Sequence, residues 1–156
     1  MLVDAQPPDD DRFAPFGVFI DGPGAPGERQ HHGELLTTAD DRALQFHVNH
    51  LLPSTLPLRV EQMERHPDAV QVFLPLDVAR YLVTVAPPDA HGAPDLGGAL
   101  CFLLPGSVGV AYHANAWHGQ ATVLDRVGRF AVLMRRGGAN DDVFVDIPTL
   151  TIGPGQ

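Results

Sequence analysis

Apolar residues in this 156-residue chain fall in short runs of four to six, and few windows keep the i, i+3, i+4 rhythm of a packed helix. The runs are FGVFI at 16–20, ALQFHV at 43–48, LRVEQM at 58–63, VQVFL at 70–74, YLVTVA at 81–86, ALCFLL at 99–104, VGVAY at 108–112, ATVL at 121–124, FAVLM at 130–134 and VFVDI at 143–147. Turn-forming stretches such as PPDAHGAPDLGG at 87–98, PGSVG at 105–109 and RRGGANDD at 135–142 separate them. Many short strands at this spacing predict an all-β domain, and a sandwich or closed barrel is the form that hides their edges.

No internal repeat and no linker divides the chain, so residues 13–156 read as one domain. The first twelve residues, MLVDAQPPDDDR, are acidic and proline-bearing; they read as a flexible tail and as neither a signal nor a transit peptide. No apolar stretch approaches the roughly 20 residues that a membrane-crossing helix requires. With one cysteine, Cys101, the chain has no internal disulfide, which fits a reducing cytoplasm. Cys101 itself lies in ALCFLL, a setting for a small buried hydrophobe.

Charge and composition narrow the function. The formal net charge is −9, which argues against the basic face that nucleic-acid binding requires. Every cationic side chain except histidine is arginine, so no lysine amine is present for Schiff-base chemistry. Ser54 and Ser107 sit in turn-like LPSTLP and LPGSVG, and neither has the G-x-S-x-G context of a nucleophile. Catalysis in such a chain falls to acid–base, electrostatic or metal chemistry.

Two motifs carry the residues for it. In the first, Glu64-Arg65-His66-Pro67 precedes Gln71-Val72-Phe73-Leu74-Pro75. Period-two alternation over 58–66 puts Leu58, Val60, Gln62, Glu64 and His66 on one face, a strand running from packed core to polar mouth. A surface Glu–His pair at a strand end satisfies the spacing equally well. In the second, Tyr112, His113, Trp117 and His118 crowd seven residues of a chain with one tryptophan and two tyrosines. Aromatic walls with titratable imidazoles suit a pocket; two core anchors with satisfied histidine neighbours suit the spacing as well. His31 and His32, in the loop-like stretch 22–33, are placed either over a barrel mouth or on a solvated surface.

Taken together, ERHPxxxQxFxPL and GVxYHxxxWH resemble the ureidoglycolate lyase family. FAPFG at 13–17, TLPL at 55–58, YLVTVAPP at 81–88 and RGGANDDVFVDIP at 136–148 add to the likeness in family order. The resemblance implies a cupin-like, jelly-roll type β-barrel, a homodimer, a small carboxylate substrate, and a place in allantoin and purine catabolism. The implied reaction is cleavage of ureidoglycolate to glyoxylate and urea. It needs one group to take the hydroxyl proton and another to protonate the departing nitrogen. On this reading His118, His113 and Glu64 are the catalytic candidates, with His66, Gln71, Tyr112, Asn49, His50, Arg65 and Trp117 lining the substrate pocket. The chemistry requires no cofactor. The cupin pattern nevertheless maps a divalent metal site, for nickel or zinc, onto Glu64, His66, Gln71 and His118. Gln71 is a weak ligand in that set.

The chain departs from the family pattern where substrate recognition is expected. Ala111 stands where the family carries asparagine, Gly119-Gln120 follow His118 in place of His-Pro, and His50 replaces an arginine. Arg135 stands where an aspartate is common. Two other functions therefore stay open at this level: a metal-assisted cupin lyase, isomerase or hydrolase on another small carboxylate, and a non-catalytic ligand-binding cupin.

Overall fold

A computed structural model describes residues 1–36 and 41–155 of the chain. Twelve strands run through it: β1 (Leu2–Asp4), β2 (Gly17–Ile20), β3 (Ala43–Leu51), β4 (Leu58–Arg65), β5 (Gln71–Pro75), β6 (Arg80–Ala86), β7 (Leu100–Pro105), β8 (Gly109–Tyr112), β9 (Trp117–His118), β10 (Thr122–Leu124), β11 (Gly128–Arg136) and β12 (Val143–Gly153). Each of the ten apolar runs lies on one of them. The all-β expectation holds, and the strands form two curled sheets.

The smaller sheet is ordered β2-β8-β5-β11-β3. The larger runs β1-β12-β4-β9-β6-β10, with β7 on the other edge of β6. It curls until its ends meet. Gln6, just past β1, donates its N–H to the Cys101 carbonyl at 3.0 Å and accepts from the Leu103 N–H at 2.8 Å.

That curl gives the larger sheet two apolar faces. Tyr81, Val83 and Val85 of β6 join Phe102, Phe73, Val110 and Phe130 in a core between the sheets. Leu82 and Ala86 of the same strand join Met63, Cys101, Trp117, Leu150 and Ile152 in a second core enclosed by the curled sheet. Cys101 is fully buried there, as expected of an apolar run, and the Thr84 hydroxyl donates to its sulfur at 3.4 Å. In the first core, rings run from Phe19 stacked on Phe13 (4.2 Å between centroids), through Tyr112, to the Tyr112 stack on His118 at 4.1 Å.

Two expectations need correction. The first twelve residues are not a flexible tail: β1 pairs in parallel with Thr151–Gly153, Ala5 is buried, and Asp9 caps the helical turn Asp10–Phe13 by accepting from the Arg12 N–H. Strand and turn are short, so their signal is lost among acidic and proline residues, and the pairing partners lie at the far end of the chain. Nor do Leu58 and Val60 share a core with Glu64. They pack against the second core beside Met63, and the pairing of β4 with β12 is irregular between Asp146 and Leu150. Pro148, which has no N–H for the ladder, lies in that irregular segment.

Leu150→Ala removes side-chain volume from the second core alone and should destabilise the chain by about 2–5 kcal/mol in urea unfolding. The transition followed by Trp117 fluorescence should coincide with that followed by far-ultraviolet dichroism. Separate transitions would show that the two cores do not unfold as one unit.

Candidate active site

β4, β9 and β6 run side by side, and the register sets Glu64 opposite His118 and His118 opposite Val85. On the facing sheet, Gln71 of β5 stands opposite Tyr112 of β8. Glu64, His66 and His118 thereby converge, their ligating atoms all within 4.8 Å of one another. The His66 and His118 rings lie 5.3 Å apart, and Tyr112 stacks on His118. His66, Gln71, Tyr112 and His118 are buried, whereas Glu64 keeps 16% of its side-chain surface exposed.

Hydrogen bonding fixes both imidazoles. His66 Nδ1 lies 2.9 Å from the Asp141 carbonyl, and His118 Nδ1 lies 3.2 Å from the Gly119 carbonyl. A carbonyl only accepts, so each Nδ1 carries a proton, and in the neutral form of each ring the lone pair is then on Nε2. Both Nε2 atoms, and Oε1 of Gln71, are buried without a hydrogen-bond partner among the described residues. Buried polar atoms are normally paired, and orphans gathered in one place mark a site awaiting a ligand. Two imidazole nitrogens and a carboxylate, with an amide oxygen nearby, form a donor set that could hold a divalent ion.

Burial also sets the charges. It lowers the His118 pKa to about 3, with repulsion from His66 adding to the effect, so the ring is neutral at physiological pH. Burial raises Glu64, while His66 acts in the opposite direction. Desolvation pushes the Tyr112 phenol up and keeps it protonated.

The other pocket candidates lie elsewhere. Arg65 occupies the opposite face of β4 from Glu64, and its guanidinium carbon sits 4.7 Å over the Trp117 ring. Trp117 itself points into the second core and donates from Nε1 to the Gly92 carbonyl at 3.0 Å. Asn49, opposite Phe130, shares the inner face of β3 but lies four residues, roughly 13 Å, along it from the level of Gln71. His50, opposite Arg129, has the reverse parity and is exposed. His113 follows β8 with its N–H bonded to the Phe16 carbonyl, and it is not in the Glu64–His66–His118 cluster. Strand parity excludes Arg65 and Trp117; motif spacing alone does not reveal it. His32 lines a small apolar cleft with Ile20, Leu36 and Leu133, outside the cluster.

The sequence reading missed Arg136 and Asp142 beside the site. Asp142 Oδ1 lies 3.0 Å from His66 Nδ1, and Arg136 grips the same carboxylate with bonds of 2.7 and 2.8 Å. The arginine and its charge also reach Glu64, whose pKa they lower slightly against the effect of burial. Their only sequence signal was membership of the RGGANDD segment.

A family model described as ureidoglycolate lyase matches residues 1–149, both halves of the site included. The chain belongs to the ureidoglycolate lyase family. Ureidoglycolate lyase of Escherichia coli K12 is 34% identical over 116 residues, covering 74% of this chain and 71% of that protein. The enzyme of Shigella boydii serotype 18 aligns with the same identity and coverage. Such homologues make this chain a lyase. Among solved structures it is similar to RmlC from Streptococcus suis in complex with dTDP-D-xylose, with a TM-score of 0.46, 14% identity, and 62% and 46% of the two chains covered. It is also similar to dTDP-4-dehydrorhamnose 3,5-epimerase from Elizabethkingia anophelis, with a TM-score of 0.44, 11% identity, and 63% and 53% covered.

The lowered His118 pKa has a measurable sign. Between about pH 6.5 and 3 the unfolded chain binds a proton at this ring that the folded chain refuses. Stability therefore falls as pH drops through that window. In urea melts the wild type should lose stability more steeply between pH 6.5 and 4.5 than His118→Gln. Parallel slopes would show that His118 contributes nothing to the acid sensitivity.

Proposed function

We propose that the chain cleaves ureidoglycolate to glyoxylate and urea at the Glu64–His66–His118 cluster by proton transfer. The observation that carries the assignment is the pair of bare, buried Nε2 atoms in one cluster with a carboxyl group that burial biases toward its protonated form. In this reading His66 Nε2 takes the substrate hydroxyl proton and the C–O bond becomes a carbonyl. The C–N bond breaks with its electron pair on nitrogen, and protonated Glu64 supplies the proton that completes urea. His118, expected from sequence to move protons, is assigned here as a neutral wall, because burial disfavours its charged form. Gln71 and Tyr112 supply neutral hydrogen-bonding groups to the substrate.

The same donors fit a divalent ion, nickel or zinc, which Glu64, His66 and His118 would hold, with Gln71 beside them. Bound there, it would supply Lewis-acid polarisation of a substrate oxygen.

The homodimer is assigned to β3. This edge strand of nine residues carries no Asp, Glu, Lys or Arg, only His47 and His50 as titratable groups, and Leu44, Phe46 and Val48 stand exposed along it. In a chain of net charge −9, an edge without carboxylates is the surface that a second copy approaches with least repulsion. A cytoplasmic location is supported by the single buried thiol, and none of the described helices is long and apolar enough to cross a membrane.

Released urea and glyoxylate test the function directly. Glu64→Gln and His66→Asn should each reduce kcat by about 10²–10⁴-fold, while His113→Ala should stay within about twofold of wild type. A wild-type enzyme that releases neither product overturns the assignment; full activity in His66→Asn overturns the role of that ring. Metal analysis of the purified chain distinguishes the metal-loaded form, with His118→Ala expected to lose the ion. Phe46→Glu should convert the dimer to monomer in light scattering.

A further inference from the structure

The two histidines of the site are held differently, and the difference lies outside the residues assigned so far. His118 Nδ1 has a neutral carbonyl at 3.2 Å, with the nearest carboxylate oxygen, of Glu64, at 3.7 Å. His66 Nδ1 has a carbonyl at 2.9 Å and the Asp142 carboxylate at 3.0 Å. Asp142 is itself braced: Arg136 clamps both its oxygens and holds its carboxyl below the usual range. The loop between them is tightly folded, with Gly137 at a φ of 118° and the Asp141 carboxylate accepting from the Gly137 and Gly138 N–H groups at 2.9 Å each.

We propose that Asp142, braced by Arg136, is a positioning residue that acts on the reacting groups through His66. A carboxylate at Nδ1 keeps the proton on that nitrogen, aims Nε2 into the pocket, and stabilises the positive charge that builds on the ring when Nε2 takes a proton or a cation. The Asp141 carbonyl selects the same tautomer but brings no net charge. Only His66 has this support, so the two imidazoles are not interchangeable. The inference rests on the reading of His66 as the reactive ring, but not on the identity of the substrate.

Asp141 lies 75 residues from His66 in sequence, and the turn that also carries Arg136 and Asp142 brings it there. β11 ends at Arg136 and β12 begins at Val143, so the turn between these strands brings both members of the pair to the end of β4 that carries His66.

Asp142→Asn keeps the shape and removes the charge; Asp142→Ala removes both. In two-bond proton–nitrogen correlation spectra of the nitrogen-15-labelled chain, wild-type His66 should appear with Nδ1 protonated and Nε2 bare. His66→Asn identifies its signals. Both Asp142→Asn and Asp142→Ala should retain the tautomer, which the Asp141 carbonyl also selects, with an Nε2 resonance displaced from the wild type and displaced further in Asp142→Ala. In the ureidoglycolate assay Asp142→Asn should lose about 10–100-fold in kcat with KM changed less than threefold, and an unchanged melting temperature separates this loss from a structural one. Wild-type His66 resonances in both variants overturn the proposal. If the wild type does not act on ureidoglycolate, the substrate reading fails, and the spectra alone decide the role of Asp142.

Discussion

Tyr81, Val83 and Val85 leave β6 toward one core while Leu82 and Ala86 leave it toward another, so this strand has no face to offer water. A sheet apolar on both sides must be covered on both. The smaller sheet covers one side, and the larger sheet covers the other by closing on itself through Gln6. Everything at the site follows from this arrangement. β9, only two residues long, is wedged between β4 and β6 at the point where the cores divide, and sends Trp117 into one and His118 into the other. His118 is accordingly among the most deeply buried side chains of the molecule.

Depth alone would make two equivalent, unreactive imidazoles. The asymmetry comes from the loop between β11 and β12, which brings a braced carboxylate to His66 and none so close to His118. Burial then acts on each group according to its partners: it drives His118 neutral and raises Glu64, while Arg136 restrains both Glu64 and Asp142. A chain without lysine and with two turn serines performs its chemistry with the groups that remain. Of the departures from the family pattern, Gly119 touches the site through its carbonyl on His118 Nδ1, and two others point away from it. His50 is exposed on the far face of β3, and Ala111 lies on the face of β8 opposite Tyr112.

How much of this was legible in the sequence depended on the range of the interaction. Alternating apolar runs report local burial, so ten strands and the all-β class could be read directly. The convergence of Glu64, His66 and His118 was foreshadowed by two motifs and needed a family likeness to join them. The face on which each residue landed was not legible where the period broke. Leu58 and Val60 pack against the second core although they share the parity of Glu64 along β4, and parity turned Arg65 and Trp117 away. The first strand was hidden for the opposite reason: its partners lie at the other end of the chain, beyond any local pattern.

That last pairing says something about how the molecule comes into being. Leu2–Asp4 lie beside Thr151–Gly153, almost the whole chain away in sequence. Contacts this remote incur the loop-closure entropy of nearly the entire polypeptide before they form, and folds rich in them are slow to assemble. On the ribosome the opening strand must wait, unpaired, until the final strand has emerged. The second core, which takes Leu150 and Ile152 from that strand, is complete only then.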